Sequence, residues 1–224
     1  MKDFNYYVDN LNVLYEDNHI IVIEKEKDVL SQKDETDDFS INEIVKEYLK
    51  RKYNKPGAVY LGLVHRLDRR VSGVMVLAKT SKAATRLSKS IMEHEFEKKY
   101  LAYVEGIIDK DGSINIKILK KDNKAIISDL GKEAKLNYKV INNDSNNTYV
   151  MVDLESGRYN QIRLSFASIN HPIYGDLKYG AKIKSDDMGL ASYEISFSHP
   201  VSKEYMTFKM LPKASIWKGI KLEK

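Results

Sequence analysis

Cysteine is absent from the 224 residues, so disulfides, thiolate nucleophiles and cysteine-ligated zinc are excluded. Long apolar runs are missing too. No stretch approaches the ~20 residues of a membrane helix. The opening Met1-Lys2-Asp3-Phe4-Asn5-Tyr6 lacks the apolar core of a secretory leader. No membrane partner is expected, and a cytoplasmic location follows by default. The eleven glycines form neither Gly-x-x-x-x-Gly-Lys-Ser/Thr nor Gly-x-Gly-x-x-Gly, so no phosphate-cradling loop is predicted. The five histidines, His19, His65, His94, His171 and His199, never fall at a spacing that would put two ligands on one helix face. No metal and no cofactor are therefore expected. Ser72-Gly73 is not set in Gly-x-Ser-x-Gly, which argues against a hydrolase elbow.

What remains is an ordinary globular composition, 42% hydrophobic and 31% charged, with a net charge of +5. That excess is compatible with a nucleic-acid partner without establishing one. The length suits one large domain or two closely joined halves. The run Ile20-Ile21-Val22-Ile23-Glu24 reads as a buried strand. Residues 25–38 are polar and read as loop. Ser40-Ile41-Asn42-Glu43 fits a capping box, and Ile41, Ile44, Val45, Tyr48 and Leu49 follow at helical spacing until Pro56-Gly57. Residues 59–64 and 74–78 read as strands, and Thr80-Ser81 as the next helix cap. Residues 107–153 are β-rich. A helix is expected from Leu164, and residues 193–197 and 205–208 alternate like paired strands. Many strands with few helices favour an α+β fold with a largely antiparallel sheet.

The densest chemistry lies at His65-Arg66-Leu67-Asp68-Arg69-Arg70-Val71-Ser72-Gly73, just before the apolar 74–78 run. One acid stands among three arginines, and neighbouring cations favour its ionised form. A second basic stretch is Gly157-Arg158-Tyr159-Asn160-Gln161-Ile162-Arg163. Fifteen tyrosines accompany them, and aromatics beside arginines can stack on bases, although any one tyrosine is more often a sheet residue.

The first of these stretches resembles the signature of the RluA-type pseudouridine synthases. Three further blocks agree in order: residues 14–25; residues 96–106, with Lys99-Tyr100-Leu101-Ala102; and residues 157–163 followed by His171-Pro172-Ile173-Tyr174-Gly175-Asp176. Phe197-Ser198-His199-Pro200 matches the ending. The resemblance implies a single catalytic domain over 1–224. Its fold would be a bent, largely antiparallel mixed sheet in two halves, with flanking helices and a central catalytic cleft. The short form of the family is implied, with no S4-type RNA-binding domain expected ahead of Leu14. The implied activity is isomerisation of uridine to pseudouridine in ribosomal or transfer RNA by a cytoplasmic, monomeric enzyme without cofactor or metal. Asp68 is then the catalytic aspartate, suited to attack at C1′ or to assist proton loss at C2′. Tyr100 lies against the uracil and helps remove the C5 proton, and Arg163 pairs with Asp68. Arg66 fills the gap left by the flipped base, and His65, Arg158 and Gln161 join it in RNA binding. The sequence departs from the family pattern at Glu26, Val71, Tyr159-Asn160 and Ala191-Ser192. Those departures motivate a rival reading, an RNA-binding chaperone or ribosome-assembly factor with little catalysis.

Overall fold

The computed structural model describes residues 3–222. They divide into two units, each assembled from two stretches of chain. One comprises residues 1–96 and 194–210, the other residues 97–193 and 211–224.

The first unit is built on β2 (Ile20–Lys25), all six residues of which are buried. Four β-branched residues in succession favour a strand, and burial on both faces requires that it be central. It pairs antiparallel with β1 (Val13–Glu16) and with β4 (Ser72–Ala78). β4 is flanked in turn by β10 (Leu190–Ser198), whose residues from Glu194 onward belong to this unit, and β10 pairs antiparallel with β11 (Tyr205–Lys209). A short helix, α1 (Phe4–Asp9), was not anticipated from the sequence.

The capping box holds at the start of α2 (Ile41–Lys52). The Ser40 hydroxyl accepts from Glu43 N–H at 3.3 Å, and Ser40 N–H donates back to the Glu43 carboxylate at 3.1 Å. Thr80 caps α3 (Ser81–Met92) as expected. Ile20, Val22, Val74, Val76, Leu87, Phe96, Ile195 and Phe197 form the core, with Phe96 and Phe197 stacked at 5.0 Å.

The strand expected over 59–64 shrinks to β3 (Gly62–Leu63). The reason is local. Leu63 pairs with Leu77, but the next free ladder donor, Val76 N–H, goes to the His65 imidazole at 3.1 Å. A side chain ends the ladder after Leu63, and before Gly62 there is nothing left to pair, because β4 ends at Ala78 and Thr80 already caps α3.

The second unit is an antiparallel array in the order β5 (Glu97–Glu105), β9 (Asn147–Leu154), β8 (Lys132–Asn143), β6 (Gly112–Lys121) and β7 (Lys124–Ile127). Leu101, Tyr103, Tyr149, Ala191 and Trp217 form one core, in which Tyr103 and Tyr149 stack at 4.3 Å. Those two tyrosines are therefore packing residues, in line with the expectation that any one tyrosine is more often a sheet residue. A second cluster joins Ile118, Ala125, Ala134 and Tyr179 beneath α4 (Gln161–Ser168). The helix begins at Gln161, so Gln161 and Arg163 are helical residues rather than the approach to a helix expected from Leu164 onward.

Candidate active site

Asp68 lies in the loop between β3 and β4. Leu67 and Val71 are buried and draw the loop onto the core. Between them Asp68 and Arg70 are half-buried, while Arg66 and Arg69 are exposed. The sequence thus buries its apolar positions and presents its charged ones. The Asp68 carbonyl accepts from Val71 N–H at 3.0 Å, and the exposed Arg69 reaches Asp38 at 2.7 Å. His65 is turned inward. Its Nε2 accepts from Val76 N–H, which places the ring proton of the neutral form on Nδ1, and the ring packs on Phe96 at 5.7 Å.

The loop rests on the segment that follows β2. Ser31 Oγ donates to Leu67 O at 2.6 Å and accepts from Leu67 N–H at 3.0 Å. Asp28 N–H donates to Arg69 O at 2.8 Å. Lys25 is fully buried, and its Nζ donates to the carbonyls of Glu26, Val29 and Arg69 at 2.9, 2.7 and 3.1 Å. Burial pulls this ammonium down to about 7, against the opposing pull of Asp68 and Asp28; Arg69 adds to the lowering. The polar composition of 25–38 concealed this role. The one visible signal was Val29-Leu30-Ser31, all buried, inside an otherwise hydrophilic loop.

Tyr100 stands on β5 of the second unit, opposite Val152 of β9. It is buried, and its hydroxyl pairs with the side chain of Ser192. Burial pushes the phenol up to about 12, with the Ser192 contact opposing the rise. At neutral pH Tyr100 is therefore an un-ionised phenol, able to exchange a proton only as it passes its own along. Ser192 is one of the positions where the sequence departs from the RluA-type pattern, and its own side chain is 1% exposed.

Arg163 enters from the first turn of α4. Its Nε and Nη2 each donate to one oxygen of Asp176 at 2.6 Å, a two-pronged pair in which Asp176 is completely buried. The guanidinium also lies over the Tyr179 ring at 4.9 Å. The carboxylate holding Arg163 within its own unit is thus Asp176, a partner that the motif reading did not assign. Gly175 makes it possible. Its φ of +75° and its close approach to Asp187 O leave no room for a side chain. Asn160, another departure, caps α4 in the left-handed region at φ +51°, which Asn tolerates better than most residues. Its amide donates to Tyr179 Oη at 3.1 Å and accepts from Arg163 Nη1 at 3.4 Å.

Gln161 is buried and its amide is spent internally, accepting from Arg158 N–H and Ser156 Oγ and donating to Lys135 O. Arg158 is exposed, with Nε on Glu133 O at 3.0 Å. The structure therefore gathers His65, Arg66 and Asp68 in one loop of the first unit. In the second it gathers Arg158, Gln161 and Arg163 at the start of α4, with Tyr100 on β5.

Residues 19–168 match the family model described as RNA pseudouridylate synthase. The chain belongs to the RNA pseudouridylate synthase family. That match spans the strand β2, the Asp68 loop, Tyr100 and Arg163. Family membership brings the reaction class, isomerisation of uridine to pseudouridine in RNA, and the RluA-type resemblance of the motifs stands with it. An uncharacterized RNA pseudouridine synthase of Aquifex aeolicus is 34% identical, over 89% of this chain and 69% of its own. A ribosomal large subunit pseudouridine synthase D of Vibrio cholerae is 32% identical, over 88% and 66%. The chain thus spans about two thirds of the length of these pseudouridine synthases. The fold agrees: the structure of human RNA pseudouridylate synthase domain containing 4 superposes with a TM-score of 0.79 at 20% identity, covering 94% of this chain and 93% of that one.

Proposed function

We propose that this chain converts uridine to pseudouridine in structured RNA, with large-subunit ribosomal RNA as its substrate and Asp68 as the catalytic carboxylate. The observation that carries the assignment to Asp68 is its setting. It is the sole acid of the 64–79 stretch, half-buried, in a loop anchored on both sides of it. The names of the ribosomal relatives support the choice of RNA.

The reaction breaks the N1–C1′ bond, turns the uracil, joins C5 to C1′, and moves one proton from C5 as N1 gains one. No redox change and no net hydrolysis are involved. The target base must first leave its stack, at a cost of roughly a few kcal/mol. Arg66, exposed beside Asp68, is suited to occupy the space left behind by stacking and phosphate contact. Tyr100 and Arg163 complete the catalytic set in this reading. Tyr100, neutral at pH 7, serves the C5 proton, and Arg163 is held in one orientation by Asp176. Arg158 contributes to RNA binding from the surface, with the half-buried His65 and the buried Gln161 supporting it. Both units form the one catalytic domain.

Asp68→Asn keeps the shape of the loop and removes the charge. Expected are a native fold and no tritium release from RNA labelled at uridine C5. Pseudouridine mapping in the host's RNA, with and without this chain, identifies the substrate, and sites that vanish from large-subunit ribosomal RNA are expected. Full activity of Asp68→Asn overturns the role of Asp68, and loss confined to transfer RNA overturns the choice of substrate.

A further inference from the structure

We infer that Lys25 and Ser31 are positioning residues for the Asp68 carboxylate, fixing the backbone on either side of it. The inference rests on the reading of Asp68 as the catalytic group.

The geometry is specific. Before Asp68, both polar groups of Leu67 are taken by one hydroxyl, Ser31 Oγ, at 2.6 and 3.0 Å. After Asp68, the carbonyl of Arg69 receives Lys25 Nζ at 3.1 Å and Asp28 N–H at 2.8 Å. The Asp68 carbonyl is itself engaged by Val71 N–H. The backbone through Asp68 is thus held at three successive residues, and the carboxylate retains little beyond its own side-chain torsions. Both grips come from the single segment 25–31. That segment is braced in turn, because the other two Lys25 protons go to Glu26 O and Val29 O within it. An ammonium has three protons, and here each has an acceptor.

A lysine is an unfavourable way merely to fill the interior. Desolvating a charge is costly, and an apolar side chain would occupy the same space without that cost. What an apolar side chain could not do is hold three carbonyls of two separate segments together and set a positive charge near Asp68. The charged groups that act on Lys25 are Asp68 and Asp28, which favour its proton, and Arg69, which opposes it. Loss of that proton leaves two donors for three carbonyls and removes the cation, so the grip on Arg69 weakens as the lysine becomes neutral. Displacing a catalytic group by about 1 Å can cost on the order of 10²-fold in rate.

The test is steady-state kinetics of tritium release on the full chain, with Asp68→Asn as reference. Ser31→Ala is expected to lower kcat by roughly 10- to 10²-fold, with KM and the melting temperature little changed, and Ser31→Thr, which keeps the hydroxyl, is expected to recover most of it. Wild-type kcat is expected to fall on the alkaline side of neutrality without unfolding. Lys25→Arg, which keeps its charge, is expected to lose that limb. Lys25→Met is expected to be slow at every pH. Should Lys25→Met fail to fold, Ser31→Ala and the wild-type pH profile still decide. Wild-type kcat in Ser31→Ala, or an alkaline limb unchanged in Lys25→Arg, overturns the inference while leaving the role of Asp68 intact. A fully active Asp68→Asn would instead overturn the underlying functional reading, and the inference with it.

Discussion

A lysine without solvent contact has a thermodynamic signature as well as a catalytic one. In the unfolded chain Lys25 takes the ordinary value of 10.5, and in the fold it drops to about 7. Between these values the unfolded state holds the proton and the folded state does not, so stability rises with pH across that window. The burial cost is greatest below pH 7 and fades toward pH 10.5. Urea unfolding of the wild type and of Lys25→Met at pH 7 and pH 9 is therefore expected to show the wild type gaining roughly 2 kcal/mol relative to the variant. A gap that does not change with pH would mean that the lysine keeps its ordinary affinity for the proton. Other residues were legible to different degrees. Asp68 stood out in the sequence because one acid among arginines is conspicuous. Asp176 and Ser192 did not, because their importance lies in what the fold brings to them: the Arg163 guanidinium in one case and the Tyr100 hydroxyl in the other.

Elements were legible where the pattern is local. The box Ser40-x-x-Glu43 carries its own hydrogen bonds, so α2 starts where the sequence places it. Ser40 is 1% exposed and Glu43 answers it, so Ser40→Ala is expected to cost about 1 kcal/mol, read as a lowered urea midpoint with an unchanged slope. Ser40→Thr is expected to recover most of the loss, since its hydroxyl still accepts from the Glu43 amide and donates to the Glu43 carboxylate. β2 and β4 were legible because continuous burial demands continuous apolar sequence. β3 was overestimated because its ladder is ended on one side by a side chain, His65, and on the other by the close of β4 at Ala78, and no pattern of hydropathy records either. The start of α4 was misplaced for a related reason. Its first residues, Gln161, Ile162 and Arg163, include two polar side chains that are nevertheless buried, and burial of polar groups inside a helix looks in sequence like a loop.

At the scale of the whole molecule, the motif blocks pointed to the family and so to the fold class, while the course of the chain stayed hidden. Which strand lies beside which is a non-local fact. The chain leaves the first unit after Phe96, builds most of the second, returns for residues 194–210 and then adds Leu211 onward to the second. Ile195 and Phe197 belong to the core made by Ile20, Val22, Val74 and Val76, and Trp217 belongs to the core of Leu101 and Tyr149. A chain ending at Tyr193 therefore lacks part of both cores. It is expected to bind a hydrophobic dye and to show no cooperative thermal transition, whereas a first unit indifferent to β10 would melt normally.

That itinerary also orders events during synthesis. While the ribosome is making residues 97–193, β4 has emerged with five consecutive fully buried positions, Val74 to Ala78, and the neighbour that should lie beside it, β10, does not yet exist. An apolar strand with an open edge is the kind of surface on which nascent chains associate wrongly. For the length of one whole unit, the part of this protein that carries Asp68 must wait, half-built, for a strand still to be translated.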